Sequence, residues 1–155
     1  MTTTPTTPSP SRPDAGSEVC NCFAIRSAAR QTSQFYDRHL APAGLRTTQF
    51  SVLANLRHHG ALAINELAQV MAMDRTTMGR ALRPLEREGL VVIGPGRDRR
   101  TRALHLTAAG RDRLRQAAPL WREAQAAFEK SYGAKESETL RAALLRVREM
   151  EAAPM

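Results

Sequence analysis

From Val19 to Leu40 the chain contains no proline or glycine, and Ile25, Ala28, Ala29, Thr32, Tyr36, His39 and Leu40 recur at the three- and four-residue steps of one helical face. This predicts a long first helix, ended by Pro42 and Gly44. The stretch "TTQFSVLANLRHHG" offers Thr47 as an N-cap, a face of Phe50, Leu53, Ala54 and Leu56, and Gly60 as a stop, which predicts a second helix. In "INELAQVM", Ile64, Leu67, Ala68 and Met71 share a face, giving a short third helix whose cap position, Ala63, lacks a hydroxyl. Asp74 caps a fourth, "RTTMGRALRPLEREG", which buries Met78, Ala81, Leu82 and Leu85 and stops at Gly89. Its other side carries Thr76, Arg80, Arg83 and Arg87, and Pro84 is expected to kink it near Arg80.

After Gly89 the period changes. "LVVIG" and "TRALHLT" read as the strands of a hairpin, with Gly94-Pro95-Gly96 and a cluster of arginines at its tip. A fifth helix follows from Thr107, with Leu114, Ala118, Trp121, Gln125 and Phe128 along one stripe and Pro119 as a second expected kink. A sixth runs through "KESETLRAALLRVREME", with Leu140, Leu144 and Val147 on one face. Two short helices joined tightly, the second ending at a hairpin, form a winged helix-turn-helix. The fold class is therefore mainly α (α+β), a winged helix-turn-helix with long N- and C-terminal helices suited to dimerisation. Residues 1–17, rich in Thr, Pro and Ser, read as a disordered tail, and 18–155 as one domain. The DNA-binding core is expected at about 46–107, with dimerisation helices at about 18–41 and 107–152.

Charge sharpens this picture. Of the formal net charge of +8, +5 lies between residues 75 and 102, where eight arginines face only Glu86, Glu88 and Asp98. Only Lys130 and Lys135 are lysines, so the basic character is that of guanidinium groups, which bond phosphate and guanine bidentately. No apolar run is long enough to span a bilayer and no leader pattern opens the chain, so a cytoplasmic protein without membrane contact is expected. A nucleophile with a base, paired carboxylates, a phosphate loop and a metal set are all missing from the sequence pattern, which argues against an enzyme and against any cofactor or metal. His58 and His59 are sequence neighbours that point apart on a helix, a poor start for a metal site.

The run "DRTTMGRALRPLEREGLV" followed by "DRRTRALHLTAAG" resembles the MarR family of bacterial transcriptional regulators, in which a D-x-R pair and an L-x-L-T strand end mark the wing. Here Asp98 and Arg100 match the pair, and Leu104, Leu106 and Thr107 match the strand. "YDRHLAPAGLRTTQFSVL" is similar to that family's first and second helices, and the likeness covers about residues 18–150. The resemblance implies a homodimer held by the first, fifth and sixth helices that reads a pseudo-palindromic operator on double-stranded DNA, most often as a repressor released by a ligand or an oxidant.

On that basis Arg80, Thr76 and Thr77 are expected at base edges, and Arg75 and Arg83 at flanking phosphates or bases. Arg100 is expected in the minor groove, oriented by an ion pair with Asp98, while Arg97, Arg99 and Arg102 add backbone charge. Cys20 and Cys22 open the first helix. Two residues apart they point about 200° around it, so a mutual disulfide needs a frayed first turn. "CFAI" at 22–25 is similar to the neighbourhood of the reactive cysteine in the family's hydroperoxide-sensing branch, against which stands a buried, structural Cys22 and an incidental Cys20. A small aromatic or anionic ligand is the other expected signal, with Arg26, Arg30, Phe35, His39 and Trp121 as candidates to line its site. A nonspecific DNA-packaging protein is the rival reading of the charge.

Overall fold

The structure is a computed structural model and describes residues 19–98 and 100–150. The predicted tail at 1–17 and Arg99 lie outside the described residues. Among those described, six α-helices and one two-stranded sheet follow the predicted order: α1 (Asn21–Leu40), α2 (Thr47–His59), α3 (Ile64–Val70), α4 (Arg75–Arg87), β1 (Val91–Pro95), β2 (Arg102–Leu106), α5 (Ala108–Tyr132) and α6 (Ala134–Arg148). A short 3-10 turn at Ala41–Ala43, not expected from the sequence, follows α1, with Gly44 in the left-handed region at φ 67°. The chain divides into a unit through Gln34 and one from Phe35 onward, and the core described next belongs wholly to the second.

That core is leucine-rich: Leu40, Val52, Leu53, Leu56, Leu67, Met78, Leu85, Leu90, Leu104 and Leu114 are almost fully buried. Each such side chain is worth about 1.5–3 kcal/mol of transfer free energy. The predicted faces supply Leu53, Leu56, Leu67, Met78 and Leu85, whereas Val52 was not expected inside and Phe50, Ala54, Ile64 and Met71, which were, are only partly buried at its rim. On α5 the buried line is Leu114, Ala117 and Ala124, while Trp121, expected on that stripe, is 37% exposed. Small alanines allow close approach, and the bulky rings flank the contact.

Helix starts depart from expectation in instructive ways. Thr47 is the first helical residue of α2, and the cap position is Arg46, in extended conformation. The Thr47 N–H is instead taken by the Asp37 carboxylate of α1 at 2.7 Å, and the Arg46 N–H by the Gln49 side chain at 2.8 Å. Tertiary contact thus replaces the local hydroxyl. At Ala63 the missing hydroxyl is partly offset by Glu66, which accepts the Ala63 N–H at 2.7 Å, the reciprocal half of a capping box. Neither proline ends its helix: α4 continues through Pro84 and α5 through Pro119. Among the described residues, no helix is long and apolar enough to cross a membrane.

Candidate nucleic-acid interface

The interface is built on α4. Asp74 accepts the Thr77 N–H at 2.9 Å and the Thr77 hydroxyl at 2.6 Å, which closes the first turn. These bonds, the hydroxyl's first and the N–H second, hold the Asp74 carboxyl below its ordinary pKa. Met78, Leu82 and Leu85 point into the core, and the remaining surface presents Arg75, Thr76, Thr77, Arg80, Arg83 and Arg87, all exposed. Arg80, Arg83 and Arg87, with Pro84 and Glu86, line an open depression along this face. The cap commits the Thr77 hydroxyl proton to Asp74, so towards a base Thr77 can offer only its methyl group and an oxygen lone pair.

Two neighbours missed by the sequence reading hold this helix in place. Asn65 of α3 accepts from the Arg75 guanidinium at 3.4 Å, and Arg113 of α5 pairs with Glu88, just past the end of α4, at 3.1 Å. Their signals were weak, since each is a lone polar residue on an otherwise solvated face. Among the described residues, Arg80, Arg83, Arg97, Arg100 and Arg102 have no carboxylate within ion-pair distance. Their charge is available to a polyanion.

The hairpin lies directly after α4. β1 and β2 are antiparallel, in register from Val91 opposite Leu106 to Pro95 opposite Arg102. Leu62, in the short connection between α2 and α3, adds a bridge to β2: it accepts the Leu104 N–H at 2.7 Å and donates its own to the Leu104 carbonyl at 3.3 Å. This ties the helix-turn-helix to the hairpin, and a single leucine between two alanines gave no strand signal. At the hairpin base the Thr107 hydroxyl donates to the Gly89 carbonyl at 2.7 Å and accepts the Gly110 N–H at 3.0 Å, capping α5. Gly110 is obligatory, because a Cβ there would overlap the Leu90 carbonyl oxygen.

At the tip, the Gly96 N–H donates to the Thr101 carbonyl at 2.8 Å, and the Thr101 N–H and hydroxyl both donate to the Asp98 carbonyl, at 2.9 and 2.8 Å. A Cβ on Gly96 would collide with the Thr101 hydroxyl. The ion pair expected between Asp98 and Arg100 is not formed: Asp98 Oδ1 accepts the Arg100 main-chain N–H at 3.1 Å instead. In so tight a turn the amide two residues on is nearer to a short carboxylate than a guanidinium is, the usual geometry of an Asx turn. Asp98 shapes the turn, and Arg97, Arg100 and Arg102 project from it exposed.

Elsewhere, Cys20 and Cys22 are both free thiols exposed on the single chain, so Cys22 is not part of the core of one protomer. Cys20 occupies the cap position of α1 and its Sγ accepts the Phe23 N–H at 3.5 Å. Of the ligand candidates, Phe35 packs on His39 with ring centroids 4.7 Å apart, whereas Trp121 stacks on Phe50 at 5.9 Å and 12°. Arg26 and Arg30 belong to the unit through Gln34, and both are exposed. The rings of His58 and His59 meet edge to face at 4.6 Å.

The model of the MarR family matches residues 45–100, from the start of α2 to the wing tip. The chain is 39% identical to the M. tuberculosis transcriptional regulator MosR, covering 86% of this chain and 98% of that one with a TM-score of 0.74. The likeness to the same regulator in complex with DNA is 40% identity, 83% and 98% coverage, and a TM-score of 0.68. An uncharacterized HTH-type transcriptional regulator of Bacillus cereus is 32% identical over 102 residues, 66% of this chain and 65% of that relative, so the match spans slightly less than two thirds of its length.

Proposed function

The chain belongs to the MarR family of DNA-binding transcriptional regulators, and from that premise we propose that it is a homodimeric, sequence-specific repressor that reads a pseudo-palindromic operator. The observation that carries this reading is the division of α4: Met78, Leu82 and Leu85 fill the core while an exposed face of arginines and threonines lies next to a wing bearing three more arginines. A major groove accepts such a helix, with Arg80 and Thr76 at base edges and Arg75 and Arg83 at flanking phosphates. The wing then reaches the adjoining backbone or minor groove with Arg100, while Arg97 and Arg102 add phosphate contacts, as does Arg99.

A second copy of the chain is the proposed cover for apolar side chains left in water: Phe23 and Ile25 in the first unit and, on α6, Leu144, Leu145 and Val147. Acting on chromosomal DNA, such a regulator works in the cytoplasm. Net charge concentrated on one helix face and one turn, +5 of +8, favours reading over packaging. In vitro selection from randomised duplexes with the full chain tests the proposal. Two inverted half-sites spaced by about one helical turn, ~10 bp, are expected, and return of no motif would reject it.

Control by an oxidant is a second reading, favoured by the two exposed thiols and by the Phe23 N–H that points at Cys20 Sγ. A peroxide would convert one thiolate to a sulfenic acid, which the other thiol would condense into a disulfide with loss of water once the first turn frays. Loss of DNA binding on treatment with an organic hydroperoxide, absent in Cys20→Ser and Cys22→Ser, is the expected result. Unchanged binding would leave a small aromatic or anionic ligand as the effector to seek.

A further inference from the structure

We propose that His105 is a positioning residue for the wing, clamping the turn that carries Arg97 and Arg100 in the shape that meets DNA; the role rests on the DNA-binding reading above. In the ladder His105 stands opposite Val92, yet its Nε2 lies 2.8 Å from the carbonyl oxygen of Pro95, three residues further along β1. A carbonyl only accepts, so Nε2 carries the proton. To make this bond the imidazole must lie lengthwise along the hairpin, across Gly94. A Cβ at Gly94 would stand 3.1 Å from the ring Cδ2 and 3.2 Å from Nε2, closer than such contacts normally allow. The absence of a side chain at 94 and the histidine at 105 are thus one device.

The device acts where the wing has little else to hold it. A two-stranded hairpin is marginal alone, and Val92 and Ile93 on β1 are 51% and 42% exposed. The Thr107 bonds fix its base and the Leu62 bridge fixes its middle, at Leu104, but both stop short of Pro95, whose carbonyl the imidazole holds. Past Leu104, among the described residues, the last pairs of the ladder and the turn's own bonds among Gly96, Asp98, Arg100 and Thr101 order the tip. The clamp grips the residue that enters this turn. Ordering a loop on binding subtracts from affinity, so a tip fixed in advance binds more tightly with no added contact.

The test uses the full-length protein in two readouts. In the free protein, amide exchange at Gly96 and Thr101 is compared with that at Leu53 and Leu85. His105→Ala is expected to speed exchange at the wing pair alone. On the duplex returned by selection, or on a random duplex if none is returned, it is expected to weaken binding ~3- to 10-fold, the range set by loss of one net hydrogen bond, and to leave the salt slope unchanged, since no phosphate contact is removed. His105→Gln, which retains a donor, should recover part of each effect, and Gly94→Ala, which displaces the ring, should reproduce part of the loss. Unchanged wing exchange in His105→Ala overturns the clamp. Faster exchange with unchanged affinity overturns its role in binding. If the wild type binds no duplex at all, it is the DNA-binding reading that fails, and exchange alone still decides the clamp.

Discussion

Thr107 joins the exit of α4, the base of the wing and the start of α5, and Thr107→Val removes its hydroxyl while keeping its shape. The cost follows from what the hydroxyl touches. It accepts the N–H of Gly110, which is buried against Leu90 and Leu106, where water cannot readily replace it. Losing that cap costs about 1 kcal/mol and up to about 2. The same hydroxyl donates to the Gly89 carbonyl at 2.7 Å, an exposed bond that water can substitute and that adds only about 0.5 kcal/mol. A total of about 2 kcal/mol corresponds, for a chain of this size, to a fall in Tm of about 4–8 °C. Thermal and urea unfolding at one fixed protein concentration measure it, because the stability of the proposed dimer would depend on concentration. Thr107→Ser should stay within about 0.5 kcal/mol of the wild type. A valine variant equally close to the wild type, or a serine variant as damaged as the valine one, would refute the reasoning.

Arg100→Ala should cost ~1–3 kcal/mol of DNA affinity with no change in Tm, read by titration and melting; an equal loss of stability would mean that the arginine supports the fold. Asp74 has a lowered folded-state pKa, so the stability it contributes is present above the ordinary carboxylate range and is lost as pH falls through the folded value. The Thr77 amide should therefore shift in NMR spectra with acid titration in the wild type and not in Asp74→Asn, whose amide still caps. Ala72, at φ 52°, is the one described non-glycine residue with positive φ and closes the turn between α3 and α4. Ala72→Gly should raise stability by up to about 1 kcal/mol in urea unfolding, relief of left-handed strain exceeding the added chain entropy.

The order of helices and hairpin could be read before any coordinates because apolar spacing, the Asp74 cap and the glycines at 60 and 89 are local signals, each acting within a few residues. What escaped was set by distant partners. The start of α2 moved to Arg46 because Asp37 of another helix takes the Thr47 N–H. The Leu62 bridge was invisible because strand pairing needs β2, some forty residues later, to define it. In the interface, the exposed arginine face of α4 was legible from period alone, whereas side-chain roles were not. Asp98 and Arg100 were correctly placed side by side, but whether a carboxylate meets a guanidinium or an amide depends on turn geometry. His105 looked like one more alternating strand residue, and only the bare backbone of Gly94 beneath its ring marks it out.

In the proposed function α4 and the wing read a sequence rather than merely attract a polyanion. The most direct test is a salt-resolved titration of the wild type and Arg80→Ala against the selected duplex and a scrambled one. A preference of ~10³-fold or more for the selected duplex, largely lost in Arg80→Ala while binding to the scrambled duplex falls only slightly, is expected. Equal wild-type affinity for both duplexes, with the same loss on each in Arg80→Ala, would contradict it.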